Sequence, residues 1–391
     1  MDQTVLRAWW WHRQGLDGGL AGADPADVLR RSGWARSVGG TNPYLSLFAR
    51  AGTRRDQADA AVAALDIHEL PSVRGCAYVL PADHYALGLQ VGRGAPEAEV
   101  RVLDKLGVAR REVDDLCTAV KSTLDGGAAL DPAQLKDRLG DQVRNLGEEG
   151  RKKGQSTTLP AALGLLQAAG EIRRVPANGR LDQQRYAYVR WSPPRTGLTD
   201  DEARTELARL YFDWTGPATL GHFRWFSAFT VAQAKAAIAP LGLVDTGDGL
   251  LLPAALSDEF AAYAVPKKPA YSLLAGIDAL LLLRRDVASL VDSADARTPV
   301  PGEKLQVGGL ADLTDHAIVD RGRLVGLWQY DVDAGEVVAW LFAGGPPDKA
   351  LRETIERTRA YIRDDLGDAR SFSLDSPKSR APRIAALRSG S

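Results

Sequence analysis

Apolar positions recur at helical spacing from Val5 to Gln14, and Asp24-Pro25 opens a second helix with an acidic cap and a proline in its first turn. The same period predicts a third helix over Tyr44 to Ala51 and a fourth over Arg55 to Leu65. Val73 to Leu80 then reads as a strand pair, or as a strand with a tight turn at Gly75. Between the second and third helices lies GWARSVGGTNPYLSLFAR (33–50). Its paired glycines give up backbone entropy, and the residue before Pro43 is pushed out of the α region. Such a turn is either a plain helix connection or a surface shaped for close approach.

The pattern repeats further along. STTLPAALGLLQAAGEIRRVPANGRLDQQRYAYVRW gives a capped helix ending at Gly170, a strand from Glu171 to Val175, a Pro-Ala-Asn-Gly turn and a strand from Arg185 to Trp191. Helix, strand, loop and strand in that order is the second half of a winged helix, or a generic α/β hairpin. Arg173, Arg174, Arg180, Arg185 and Arg190 gather on the hairpin, where a wing would meet phosphates. A third unit has helices starting at Asp200, Thr219 and Thr230, then two short strands joined by the turn Thr246 to Gly249. Recurrence of one plan predicts tandem modules. The expected fold is α+β and mainly helical. Winged helix 1 is assigned to residues 1–95, winged helix 2 to 96–195 and winged helix 3 to 196–266. A C-terminal antiparallel β-rich segment, with a charged helix over about Asp348 to Asp365, occupies 267–391. The basic tail SPKSRAPRIAALRSGS reads as frayed.

Composition changes this picture little. Of 391 residues, 45% are apolar and 25% charged, ordinary for a globular protein, and the length calls for more than one core. Cys76 and Cys117 have no metal-ligand spacing around them, which argues for a reducing compartment and a cytoplasmic protein. Trp9-Trp10-Trp11 is followed at once by polar residues and is read as neither a signal peptide nor a membrane span. The net charge of −1 lacks the basic excess of many nucleic-acid binders, so any DNA-binding face must collect its basic residues locally. Phosphate loops, dinucleotide fingerprints, a nucleophile elbow and paired histidines are all absent, and neither metal nor cofactor is expected.

Four stretches carry a resemblance. TGPATLGHFRWFSAFTVAQAKAAIAPL (215–241), LLAGIDALLLLRRD, DHAIVDRGRLVGLWQY and PSVRGCAYVLPAD occur in an order similar to that of the helix-turn-helix 42 superfamily, the AlkZ/YcaQ-type DNA glycosylases. The resemblance implies tandem winged helices around duplex DNA and hydrolysis of the N-glycosidic bond of alkylated, often bulky or cross-linked bases. It also implies an association with self-resistance to DNA-alkylating antibiotics. It places Arg74-Gly75 on the first hairpin, with Tyr78 where the family usually has histidine. One departure is sharp. The family's catalytic Gln-x-Gln or Gln-x-Asp precedes a Pro-Tyr, and here Arg36-Ser37-Val38 occupies those positions.

On this reading Gly39, Gly40, Thr41 and Pro43 shape an active-site floor that lets backbone approach a deoxyribose. Asn42 is expected to orient a water, and His68 and Glu69 are the acid/base candidates nearest it in sequence. A cationic N7-alkylguanine is already an activated leaving group, so placing water and stabilising oxocarbenium-like charge would suffice. Lys121, Lys152 and Lys153 have no signal of a desolvated site, which favours a monofunctional enzyme over a Schiff-base lyase. DNA contacts are assigned to Arg74, Tyr78, Arg151, Lys152, Lys153, Arg173, Arg174, Arg180 and Arg185. The expected partner is double-stranded DNA carrying alkylated bases, bound by a monomer. Two other readings stay open: a non-catalytic DNA binder, as lesion sensor or regulator, and a protein-interaction module.

Overall fold

The computed structural model describes residues 2–183 and 185–390. Helix α1 (Gln3–Arg13) is capped by Asp2, and α2 (Pro25–Ser32) by Asp24 with Pro25 in its first turn, as the caps predict. The two-residue strand β1 (Ala35–Arg36) leads into the glycine turn, followed by α3 (Asn42–Ala51) and α4 (Arg55–Ala64). The hairpin is longer than the sequence indicated: β2 (Ile67–Pro71) pairs with β3 (Ala77–Pro81), and the tight turn spans 72–76. Strand β1 adds to the outer edge of β3, giving the order β1-β3-β2, and α5 (Tyr85–Gly92) closes this part.

Next come α6 (Glu97–Asp104), α7 (Arg110–Leu124), α8 (Pro132–Leu139), α9 (Gly147–Lys152) and α10 (Leu159–Ala168), then the antiparallel pair β4 (Ile172–Pro176) and β5 (Tyr186–Arg190). Leu116, Leu124, Leu163, Ile172 and Tyr188 form a core of their own. The plan recurs in α11 (Asp200–Thr215), α12 (Leu220–Ser227), α13 (Val231–Ile238), β6 (Leu243–Asp245) and β7 (Leu251–Pro253). Each of these three helices starts at a threonine whose hydroxyl accepts from the third helical residue's backbone N–H. Trp214, Phe223 and Phe226 pack with Trp34, Leu70 and Tyr78, so this unit leans on the first hairpin.

After α14 (Ser257–Ala262), strand β8 (Tyr271–Leu274), helix α15 (Ala279–Leu282) and strands β9 (His316–Asp320), β10 (Arg323–Asp331) and β11 (Glu336–Leu341) build an antiparallel sheet of order β11-β10-β9-β8. Helix α16 (Lys349–Tyr361) continues as a π-turn to Leu366. The tail is ordered, contrary to expectation. It forms α17 (Pro377–Ser389), held by buried Ile384 and Leu387 and by Arg383, which pairs with buried Asp315. Helix α1 packs with the end of the chain. Trp9, Trp10 and Trp11, at most 3% exposed, join Leu324, Trp340 and Leu387 in one core. Burial of each contributes about 2–3 kcal/mol, and the indoles of Trp9 and Trp10 donate to the carbonyls of Gly216 and Pro217 at 2.8 and 2.9 Å.

Candidate active site

Register decides which side chains of the first sheet can meet. Ala35 lies across from Val79 and Val79 from Glu69, while Arg36 lies across from Tyr78 and Tyr78 from Leu70. Alternation then puts Ser37 and Glu69 on one face, with Arg36, Tyr78 and His68 on the other. On the first face the Ser37 hydroxyl donates to Glu69 Oε2 at 2.6 Å, and Tyr186 Oη donates to the same oxygen at 3.0 Å. Arg174 Nη1 donates to Glu69 Oε1 at 3.1 Å, with its guanidinium 4.9 Å from the Tyr186 ring centre. The Glu69 side chain is 4% exposed. Burial works against the Arg174 cation, but the facing Glu69 carboxylate outweighs it and holds the guanidinium above its ordinary value. A carboxylate enclosed this way adds little net stability compared with apolar packing. The enclosure does fix the carboxylate's position, opposite the Arg174 guanidinium.

Sequence reasoning named Ser37 and Glu69 but assigned Arg174 to phosphate contact and missed Tyr186. The basic wing is not free. Arg180 pairs with Asp182 and donates to the Leu366 carbonyl, and Arg190 pairs with Asp125. Arg173 is half-buried and Arg185 is exposed. The loop between β4 and β5 is pinned to the first unit, where the Leu181 N–H donates to Tyr44 Oη at 2.9 Å.

The glycine turn meets protein rather than solvent. A Cβ on Gly40 would collide with the Ser371 carbonyl, so close approach is the reason for glycine here, but the approaching backbone is that of the C-terminal segment. Thr41 donates to the Arg370 carbonyl from both its N–H (2.9 Å) and its hydroxyl (3.0 Å), and the Ser373 N–H donates to the Val38 carbonyl at 3.2 Å. Gly39 adopts φ +71°. Pro43 sits in the first turn of α3, where its missing N–H costs nothing. The Asn42 amide is held by protein groups, where the sequence reading has it orient a water. Its Nδ2 donates to the Arg36 carbonyl at 2.7 Å, and its Oδ1 lies 3.3 Å from Ser46 Oγ. Ser46 donates to buried Asp278 at 2.7 Å, and Arg50 clamps Asp278 with two hydrogen bonds of 2.8 Å. The Arg36 guanidinium is likewise engaged, with the Ser37 and Ala77 carbonyls. Tyr78 is buried among Trp34 and Phe226 and presents nothing to DNA.

His68, on the opposite face, is no acid/base group. It is wedged near Tyr85 and Trp191 with both ring nitrogens unpartnered, and burial, helped by Arg173 and Arg174, pushes its pKa down to about 3. A folded-state value below the ordinary 6.5 means that the unfolded chain takes up the proton first as pH falls. Stability from this group is therefore complete above pH 6.5 and drains away towards pH 3. His68→Phe is expected to flatten the stability–pH curve in that window by up to about 1.4 kcal/mol per pH unit. Buried His84 and His316, whose values are also lowered by burial, leave part of the slope in place. Urea titrations from pH 4 to 7 read this out, and an unchanged slope would refute the assignment.

Arg74 sits at the hairpin tip with φ +60°, exposed, its guanidinium 4.0 Å from the Trp225 ring centre. It borders a groove of about 890 Å³ whose lining mixes Arg93, Arg101 and Arg204, none singled out by the sequence pattern, with Glu97, Glu99 and Asp200. Arg151, Lys152 and Lys153 are exposed ahead of α10, with Lys152 beside Glu148. Among the described residues no group of three or more His, Cys, Asp or Glu is placed to hold a metal ion, and no helix is long and apolar enough to cross a membrane.

Comparisons with known proteins bear on this geometry. The fold matches the solved structure of Streptomyces sahachiroi DNA glycosylase AlkZ with a TM-score of 0.69 and 22% identity, over 94% of this chain and 98% of that one. No curated protein matches the chain. The family model of AlkZ-like DNA glycosylases matches residues 26–367. That span runs from α2 to the end of the π-turn and takes in Ser37, Glu69, Arg174 and Tyr186. The chain belongs to the AlkZ-like DNA glycosylase family.

Proposed function

We propose that this protein hydrolyses the N-glycosidic bond of bulky N7-alkylguanines in duplex DNA, in base excision repair or in self-resistance to a DNA-alkylating antibiotic. The observation that carries the reading is the Ser37–Glu69–Arg174–Tyr186 cluster, whose Ser37 belongs to the Arg36-Ser37-Val38 stretch standing where the family has its glutamine motif. N7 alkylation makes the base cationic. As the C1′–N9 bond breaks, its electron pair leaves with the base, which departs neutral. The Glu69 carboxylate stabilises the oxocarbenium-like charge on the sugar. Water adds to C1′, and its proton passes to Glu69 or to solvent. Among the described residues the partners of Glu69 are a serine, an arginine and a tyrosine, with no lysine between them, which supports a monofunctional route. The three helix-and-hairpin units act as winged modules around the duplex, with Arg74 at the tip of the first hairpin contacting its backbone.

A second reading has its own support. Glu69 is enclosed and already accepts from three donors, as in a protein that binds lesions without chemistry. Duplex carrying N7-alkylguanine, incubated with protein and then cleaved by alkali at abasic sites, separates the two. Excision above the spontaneous rate supports the enzyme, and salt-sensitive binding without excision supports the sensor. Arg74→Ala is expected to weaken binding and lower the log Kd–log salt slope by about 0.9, the loss of one phosphate contact. An unchanged slope removes Arg74 from the interface.

A further inference from the structure

We propose that the turn at Phe372–Asp375 is a wedge that enters the base stack of duplex DNA beside the lesion and opens it towards the Glu69 site. The inference rests on the reading that duplex DNA is bound over that site. The segment 370–373 is the layer lying directly on the 38–41 turn, through the hydrogen bonds of Thr41 and Ser373. A duplex approaching the turn from this side therefore meets residues 372–374 first. There the chain exposes Phe372 (44%) and Leu374 (92%). Other exposed large apolar side chains among the described residues, such as Val231 and Leu305, stand singly, and these two lie two residues apart.

The pair is also rigidly presented. The Phe372 N–H donates to Asp375 Oδ2 at 2.8 Å, the Asp375 N–H returns to the Phe372 carbonyl at 3.1 Å, and Ser376 caps α17 immediately after. Arg370 ties the other end to the Asp182 carbonyl. Apolar side chains held out on a braced turn have the chemistry of residues that unstack base steps, because they fill the gap left between separated bases without needing hydrogen bonds. Ser371, the neighbour on the inner side, is buried, so the segment has one face anchored and one face free.

The test uses the full chain and a duplex with 2-aminopurine next to an N7-alkylguanine. Wild type should raise 2-aminopurine fluorescence several-fold on binding. Phe372→Ala/Leu374→Ala should bind within about threefold of wild type yet leave the fluorescence near that of free duplex. Its excision rate should fall about tenfold or more on paired duplex, and less than about twofold where a mismatch opposite the lesion has already loosened the stack. Leu374→Met, still long and apolar, should retain most of the wild-type signal. Matching thermal melts show that the variants fold. Undiminished fluorescence in the double variant, or equal losses on paired and mismatched substrates, would overturn the wedge, leaving the apolar pair to a protein contact. Should wild type brighten 2-aminopurine and the double variant not, with no excision by either, the wedge stands and the glycosylase reading falls. Should it excise while the double variant brightens the probe equally, only the wedge falls.

Discussion

Glu69→Gln is expected to slow single-turnover excision of N7-alkylguanine by about two to four orders of magnitude, the range over which a positioned charge or base acts. The amide keeps the shape of the carboxylate and can still receive Arg174, while the Ser37 and Tyr186 hydroxyls can turn to accept from its nitrogen. What disappears is the negative charge that the proposed mechanism sets against the sugar. Arg174 retains a third of its side-chain exposure and can reorient towards water, so the cost to stability should stay near 1–2 kcal/mol. DNA affinity should change little, which separates loss of chemistry from loss of binding. Tyr186→Phe removes one donor but leaves the charge, and should cost about tenfold. A Glu69→Gln protein that excises at the wild-type rate would dismiss this carboxylate from the mechanism.

Asp278→Ala should lower unfolding free energy by about 3–5 kcal/mol, because it leaves Arg50, itself 1% exposed, without a counter-ion. Burial alone would raise the Asp278 carboxyl, but the Arg50 guanidinium and the Ser46 hydroxyl more than offset it and hold the group below the usual carboxylate range. Its stabilisation is therefore present at neutral pH and lost on acidification below that range. The variant should also lose activity at temperatures where it remains folded, since Asp278 steadies Ser46, Ser46 adjoins Asn42, and Asn42 holds the Arg36 carbonyl at the start of the turn. Guanidinium denaturation gives the first quantity. A loss under about 1 kcal/mol would show that Arg50 finds another partner.

Local signals were readable in the chain. Asp24-Pro25, Thr219 and Thr230 marked helix starts because a capping side chain needs only its own backbone to act on. The glycine turn was equally visible as a place of close approach. Its visitor was not, since Thr41 and Arg370 are 329 residues apart. The same distance effect hid Tyr186 and misdirected Arg174, which lie 117 and 105 residues from Glu69 and look like ordinary wing residues along the strand. Helix α17 went unseen for another reason. Its charges and the internal Pro382 mask a narrow buried stripe of Arg380, Ile384 and Leu387.

The late contribution of Arg370 to Ser373 also sets an order of events during synthesis. Every helix-and-hairpin unit has left the ribosome before the segment that seats the 38–41 turn emerges. In a polypeptide made only as far as the third unit, the helices and hairpins are all present while the 38–41 turn still lacks the backbone that seats it.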